Sequence, residues 1–148
     1  SGSEIHEKRP DNIRLTEPEE ARQFVAETKV DLLSPSVGTM HGMLVGMIEG
    51  AQRKRLNIER IAAVKRAVGI PLTLHGGSGT DAEDLRQAIH AGITMIHIST
   101  ELRVAWRKGL EEALRQSTGS IAPYKVLPEA VDEVKAVVVE RLRLFNGN

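Results

Sequence analysis

The chain has 148 residues, one domain at the usual size of roughly 150, and its 20 Lys and Arg balance 20 Asp and Glu to a net charge of zero. That balance, with aromatics at only 3%, excludes a nucleic-acid binder, which needs a basic excess and stacking surfaces. With no cysteine there is no disulfide framework and no thiolate metal site. A hydrophobic share of 41% supports a core rather than disorder. No apolar run reaches the length of a membrane span and no signal-peptide pattern opens the chain, so a cytoplasmic globular protein with no membrane partner is expected.

Residues 1–14 are polar and aperiodic and read as a loop. Thr16 and Glu19 have capping-box spacing, with Pro18 in the first turn and Ala21, Phe24 and Val25 at helical spacing behind them. Val30 to Val37 reads as a buried strand, which Pro35 weakens because proline cannot donate to a ladder. Met43, Leu44, Met47 and Ile48 suggest an amphipathic turn frayed by Gly46 and Gly50, and Arg53-Lys54-Arg55 reads as a solvated basic loop. A second helix starts at the cap Asn57 and stops at Gly69. Pro71 to Leu74 is the next strand. Thr80 and Glu83 suggest another capping box, opening a helix that runs to Gly92. Ile93 to Ser99 is a third strand, Thr100 begins a longer helix, and Pro128 begins the last one within 124–148. Alternating strands and helices predict an α/β fold with a parallel sheet.

Two of these strands lead into the same motif, Met40-His41-Gly42 and Leu74-His75-Gly76. Parallel strands present their C-terminal ends along one edge, about 5 Å apart, so two imidazoles there can reach one metal ion with bonds of about 2 Å. Capping or core histidines are the plainer alternative. The run Gly76-Gly77-Ser78-Gly79 lies between a strand and a helix start, and Ser99-Thr100 repeats the theme; such turns accept phosphate or serve as ordinary caps. His97 either faces the site or is a core histidine, and His6 and His90 read as surface residues. No lysine falls on a strand, so imine chemistry is disfavoured and metal-ion electrophilic catalysis preferred.

These motifs resemble the second half of class II, zinc-dependent ketose-bisphosphate aldolases, the fructose-bisphosphate aldolase family. The likeness runs through Leu15 to Ala21, Val37-Gly38-Thr39-Met40-His41-Gly42, Pro71 to Gly79, Thr100-Glu101-Leu102-Arg103 and the closing Arg143-Leu144-Phe145. It implies the C-terminal portion of a TIM (β/α)₈ barrel, about three parallel strands with their helices, as one partial domain over 1–148. It also implies His41 and His75 as two of three zinc ligands, with Gly42, Gly76, Ser78 and Thr100 as phosphate contacts. A monovalent cation near the phosphate is a further expectation. Glu4, with Glu7 behind it, lies where the family's mobile loop after the fifth strand carries a catalytic glutamate. An acid/base aspartate and the third zinc histidine belong to the first half of such a barrel. The implied reaction is carbohydrate-metabolic, as in glycolysis: zinc-assisted retro-aldol cleavage of a ketose (bis)phosphate through a dihydroxyacetone-phosphate enediolate. A homo-oligomer, dimer or tetramer, is the family expectation.

The sequence departs from that pattern at the last strand, where the family's Asn-Ile-Asp-Thr becomes His97-Ile98-Ser99-Thr100. His97 and Ser99 then take substrate-binding positions, and the change points toward a divergent ketose phosphate. The competing reading is a non-catalytic half-barrel that binds metal or sugar phosphate, or assembles with a partner. A complete barrel needs about 250 residues, so the chain is expected to be a fragment of one, with Ser1-Gly2-Ser3 an interior cut.

Overall fold

The computed structural model describes residues 5–8 and 13–147. The element order is β1 (Ile5–His6), α1 (Pro18–Thr28), β2 (Met43–Leu44), α2 (Val45–Ile48), α3 (Ile58–Val68), β3 (Leu72–Leu74), α4 (Ala82–Ala91), β4 (Ile93–Ile96), α5 (Thr100–Gln116) and α6 (Pro123–Phe145). Among the described residues every strand pairing is parallel: β1 with β2, and β3 with β4. The chain divides into two compact units, residues 1–98 and 99–148.

In the first unit, β3 is buried along its length, as a strand covered on both faces must be. Ile61 and Val64 of α3, Leu85 and Ala88 of α4, and Val37 are fully buried in the same unit. Asn57 caps α3 as expected, its side chain accepting from the Arg60 N–H at 2.9 Å, and Gly69 ends it in the left-handed region.

Several sequence expectations are corrected. Val30 to Val37 is not a strand; its one ladder contact is the bridge between Leu33 and Leu72, because Pro35 has no N–H to continue it. The opening loop contains β1, so His6 is a half-buried strand residue. Thr16 does not cap α1; its Oγ1 accepts from the Ser36 N–H at 2.8 Å and ties the helix entry to the later turn. Asp81 rather than Thr80 caps α4, accepting from the amides of Glu83 and Asp84. The Met- and Gly-rich stretch packs Met43, Leu44 and Met47 into a cluster against Met40.

The second unit is the pair α5 and α6. Gly109 lets the helices touch, since a Cβ there would lie 2.7 Å from the Ala130 Cα. Glu101 and Arg141 form a largely buried ion pair at 2.7 Å. The last helix starts at Pro123, and Pro128 lies inside it rather than at its start. No helix among the described residues is long and apolar enough to cross a membrane.

Candidate metal centre

Beyond the last residues of β3 and β4 the ladder continues through His97 N–H to Leu74 O (3.0 Å) and Gly77 N–H to His97 O (3.1 Å). This pairing carries His75 and His97 out of the sheet side by side. Their rings meet edge to face with centroids 4.3 Å apart, and their Nδ1 atoms are 3.3 Å apart. One of the two nitrogens therefore carries the proton the other accepts. His97 Nε2 also lies 3.2 Å from Met95 Sδ. The His41 ring stands 5.8 Å from that of His75, tilted by 52°. All three imidazoles are exposed, so a ligand can reach them.

His41 and His75 thus come together as their motif spacing suggested, although His41 follows an irregular segment rather than a strand. His97 joins them. No group of three His, Cys, Asp or Glu among the described residues is arranged to hold a metal ion. Two imidazoles are a fitting part of a zinc donor set, which is completed by further nitrogen or oxygen ligands. Glu4 lies outside the described residues. Glu7 is exposed, in the turn after β1, and His90 is exposed on α4.

The glycine-rich run behaves differently from a simple anion cradle. Ser78 is buried, at 3% exposure. The Gly77 amide is used by His97 O, and the first amides of α4 are taken by the Asp81 carboxylate. The α4 N-terminus therefore already holds its negative charge. Ser99 and Thr100 open α5 in the second unit, Thr100 buried and Ser99 exposed.

Two residues were not legible as site residues. Lys54, placed by its neighbours in a solvated loop, is only 2% exposed. Its Nζ donates to the carbonyls of Met40 (2.7 Å), Gly42 (2.7 Å) and Gly76 (3.0 Å). Asp84 is buried and accepts from Arg55 Nε and Nη2 at 2.8 Å each and from the Leu56 N–H at 2.7 Å. The same carboxylate holds the Arg55 guanidinium above its ordinary pKa, first by hydrogen bonding and then by charge. The only advance signal was position: a lysine between two His-Gly turns whose carbonyls need donors.

The family model described as class-II fructose-bisphosphate aldolase matches residues 2–148. A fructose-bisphosphate aldolase of Geobacillus stearothermophilus is 29% identical over 138 residues, covering 93% of this chain and 46% of that protein. The crystal structure of the YdjI aldolase from Escherichia coli K12 matches with a TM-score of 0.74 at 33% identity, over 88% of this chain and 46% of that one. A fructose-bisphosphate aldolase from Campylobacter jejuni, 18% identical, shares the fold at a TM-score of 0.71 over 92% of this chain and 48% of that one. The chain spans about half the length of the relatives it matches. Its parallel pairs and alternating helices are part of a TIM-barrel fold. The chain belongs to the class-II fructose-bisphosphate aldolase family.

Proposed function

We propose that this chain supplies the metal-binding edge of a carbon–carbon lyase that cleaves a ketose phosphate by retro-aldol chemistry. The carrying observation is the pair His41 and His75, brought to 5.8 Å between ring centroids from two separate turns. Both are the residue type that zinc prefers among nitrogen donors. His41 and His75 would hold the ion, which when bound supplies Lewis-acid polarisation of a substrate carbonyl and stabilises the charge that develops as the bond breaks.

The chain's own residues do the rest. His97, with its Nδ1 3.3 Å from His75 Nδ1, restrains the orientation of that ring, as groups behind a metal ligand do. It is also proposed as a substrate contact, since an imidazole can donate or accept. Gly42, Gly76 and Ser78 are proposed as contacts for the substrate phosphate. Gly76 has φ +67° and a Cβ there would lie 2.5 Å from Met40 O, so only glycine permits the turn that follows His75.

The test is release of dihydroxyacetone phosphate from a panel of ketose phosphates by the metal-loaded full-length protein. Cleavage of at least one ketose phosphate is expected, with loss of at least about a hundredfold in His41→Ala and in His75→Ala. No cleavage of any of them, or variants that retain the parent rate, would overturn the reading and leave a non-catalytic half-barrel in its place.

A further inference from the structure

Lys54 is a charged residue inside the protein, and its setting explains why it stays charged there. An ammonium has three N–H donors and no acceptor. Among the described residues the carbonyls of Met40, Gly42 and Gly76 accept from it, at 2.7, 2.7 and 3.0 Å. A nitrogen that donates to backbone carbonyls is not turned to attack a substrate carbonyl, so burial does not make this lysine an imine former. The backbone of Lys54 is fixed independently, its N–H donating to Gly79 O at 2.8 Å and its carbonyl accepting from Asp81 N–H at 3.0 Å.

The identity of the three oxygens is informative. Two of them flank His41 on either side, and the third belongs to the residue after His75. We propose that Lys54 is a positioning residue: a tethered cation that fills a carbonyl cage shared by the two His-Gly turns and thereby sets the spacing of His41 and His75. The proposal rests on reading those histidines as metal ligands. Backbone-carbonyl cages of this kind also bind potassium-sized cations by replacing their hydration shell. The ammonium therefore makes the parent protein independent of free monovalent cations, and removing it leaves a cage that potassium or ammonium ions can enter.

The experiment compares the full-length protein with Lys54→Met in choline, potassium and ammonium chloride at equal ionic strength. Cobalt(II) affinity is read from the visible absorption of the bound ion, and the melting temperature of the metal-free protein is read alongside. The parent is expected to give one affinity and one melting temperature in all three salts. In choline, Lys54→Met is expected to bind cobalt at least about tenfold more weakly, the usual cost of losing support behind a ligand. Its affinity and melting temperature return in ammonium or potassium. Three results overturn the proposal: a parent that itself depends on potassium, a variant with parental affinity in choline, or a loss that neither cation repairs. Should Lys54→Met fail to fold in choline, its refolding yield in ammonium chloride decides in the same way. A parent that binds no cobalt refutes the metal reading, while the cation dependence of the variant's melting temperature still decides the role of Lys54.

Discussion

Thr80 and Asp84 lie four residues apart, both buried, and their substitutions should have opposite signs. Among the described residues Thr80 Oγ1 is a buried hydroxyl with no hydrogen-bond partner. Thr80→Val keeps the branched shape and removes the unsatisfied group, so it should stabilise by about 1 kcal/mol. Asp84→Ala instead strips the acceptor from the Leu56 amide and should cost about 1–3 kcal/mol. Urea denaturation midpoints measure both, and a destabilised Thr80→Val would show that the hydroxyl has a partner after all. The same pair shows the limit of reading caps from sequence. Thr80 and Asp81 are both good capping residues, and only the backbone decides that Asp81 holds the Glu83 and Asp84 amides. Lys54 was illegible for a different reason. Its three acceptors lie 14, 12 and 22 residues away, beyond any local pattern, while its basic neighbours signal solvent.

Helices α1 and α3 are joined by Arg60, which donates to Thr16 O at 3.0 Å and pairs with Glu17 at 2.5 Å. That hydrogen bond, more than the charge behind it, holds the Glu17 carboxyl below its ordinary value of 4.5. A carboxyl depressed in the folded state stabilises the fold fully above its ordinary pKa. The contribution fades as pH falls through the depressed folded value. Glu17→Gln should therefore lower the melting temperature at neutral pH and narrow its gap from the parent in acid. A gap that is constant between about pH 3 and pH 7 would remove the ion pair from the account. Gly109→Ala tests the other helical pair. Alanine favours a helix by about 1 kcal/mol, yet its Cβ would meet backbone atoms of Ala130 and Glu129 at 2.7 and 2.9 Å. Overpacking of about 1–3 kcal/mol should win, seen as a lower melting temperature. Helices were the legible elements because Asn57, Gly69 and Gly92 mark their ends within the chain. The segment around Leu33 was not, because its bridge depends on Leu72, far along the chain, and Pro35 stops it from growing.

At the scale of the molecule, the proposed metal binding and folding form one equilibrium. His41 and His75 adjoin only when the two turns are held together, so an ion that binds both recognises the folded chain. A ligand selective for the folded state stabilises it by about 2.7 kcal/mol at a hundredfold excess over its Kd. Zinc at that excess should therefore raise the urea midpoint of the full-length protein, and chelation should reverse the gain. His41→Ala and His75→Ala should each abolish the zinc-dependent part. The double variant should lose no more of it than either single one, because ligands of one ion act as a unit. The informative quantity is this non-additivity, measured as the midpoint with zinc minus the midpoint with chelator for all four proteins. Losses that simply add would place the two histidines in separate sites. With no group of three His, Cys, Asp or Glu among the described residues arranged to hold a metal ion, the zinc-dependent gain also measures what the remaining ligands contribute. A pair of imidazoles alone leaves half of a tetrahedral shell to other donors, so a gain that survives low zinc concentration requires a further protein ligand.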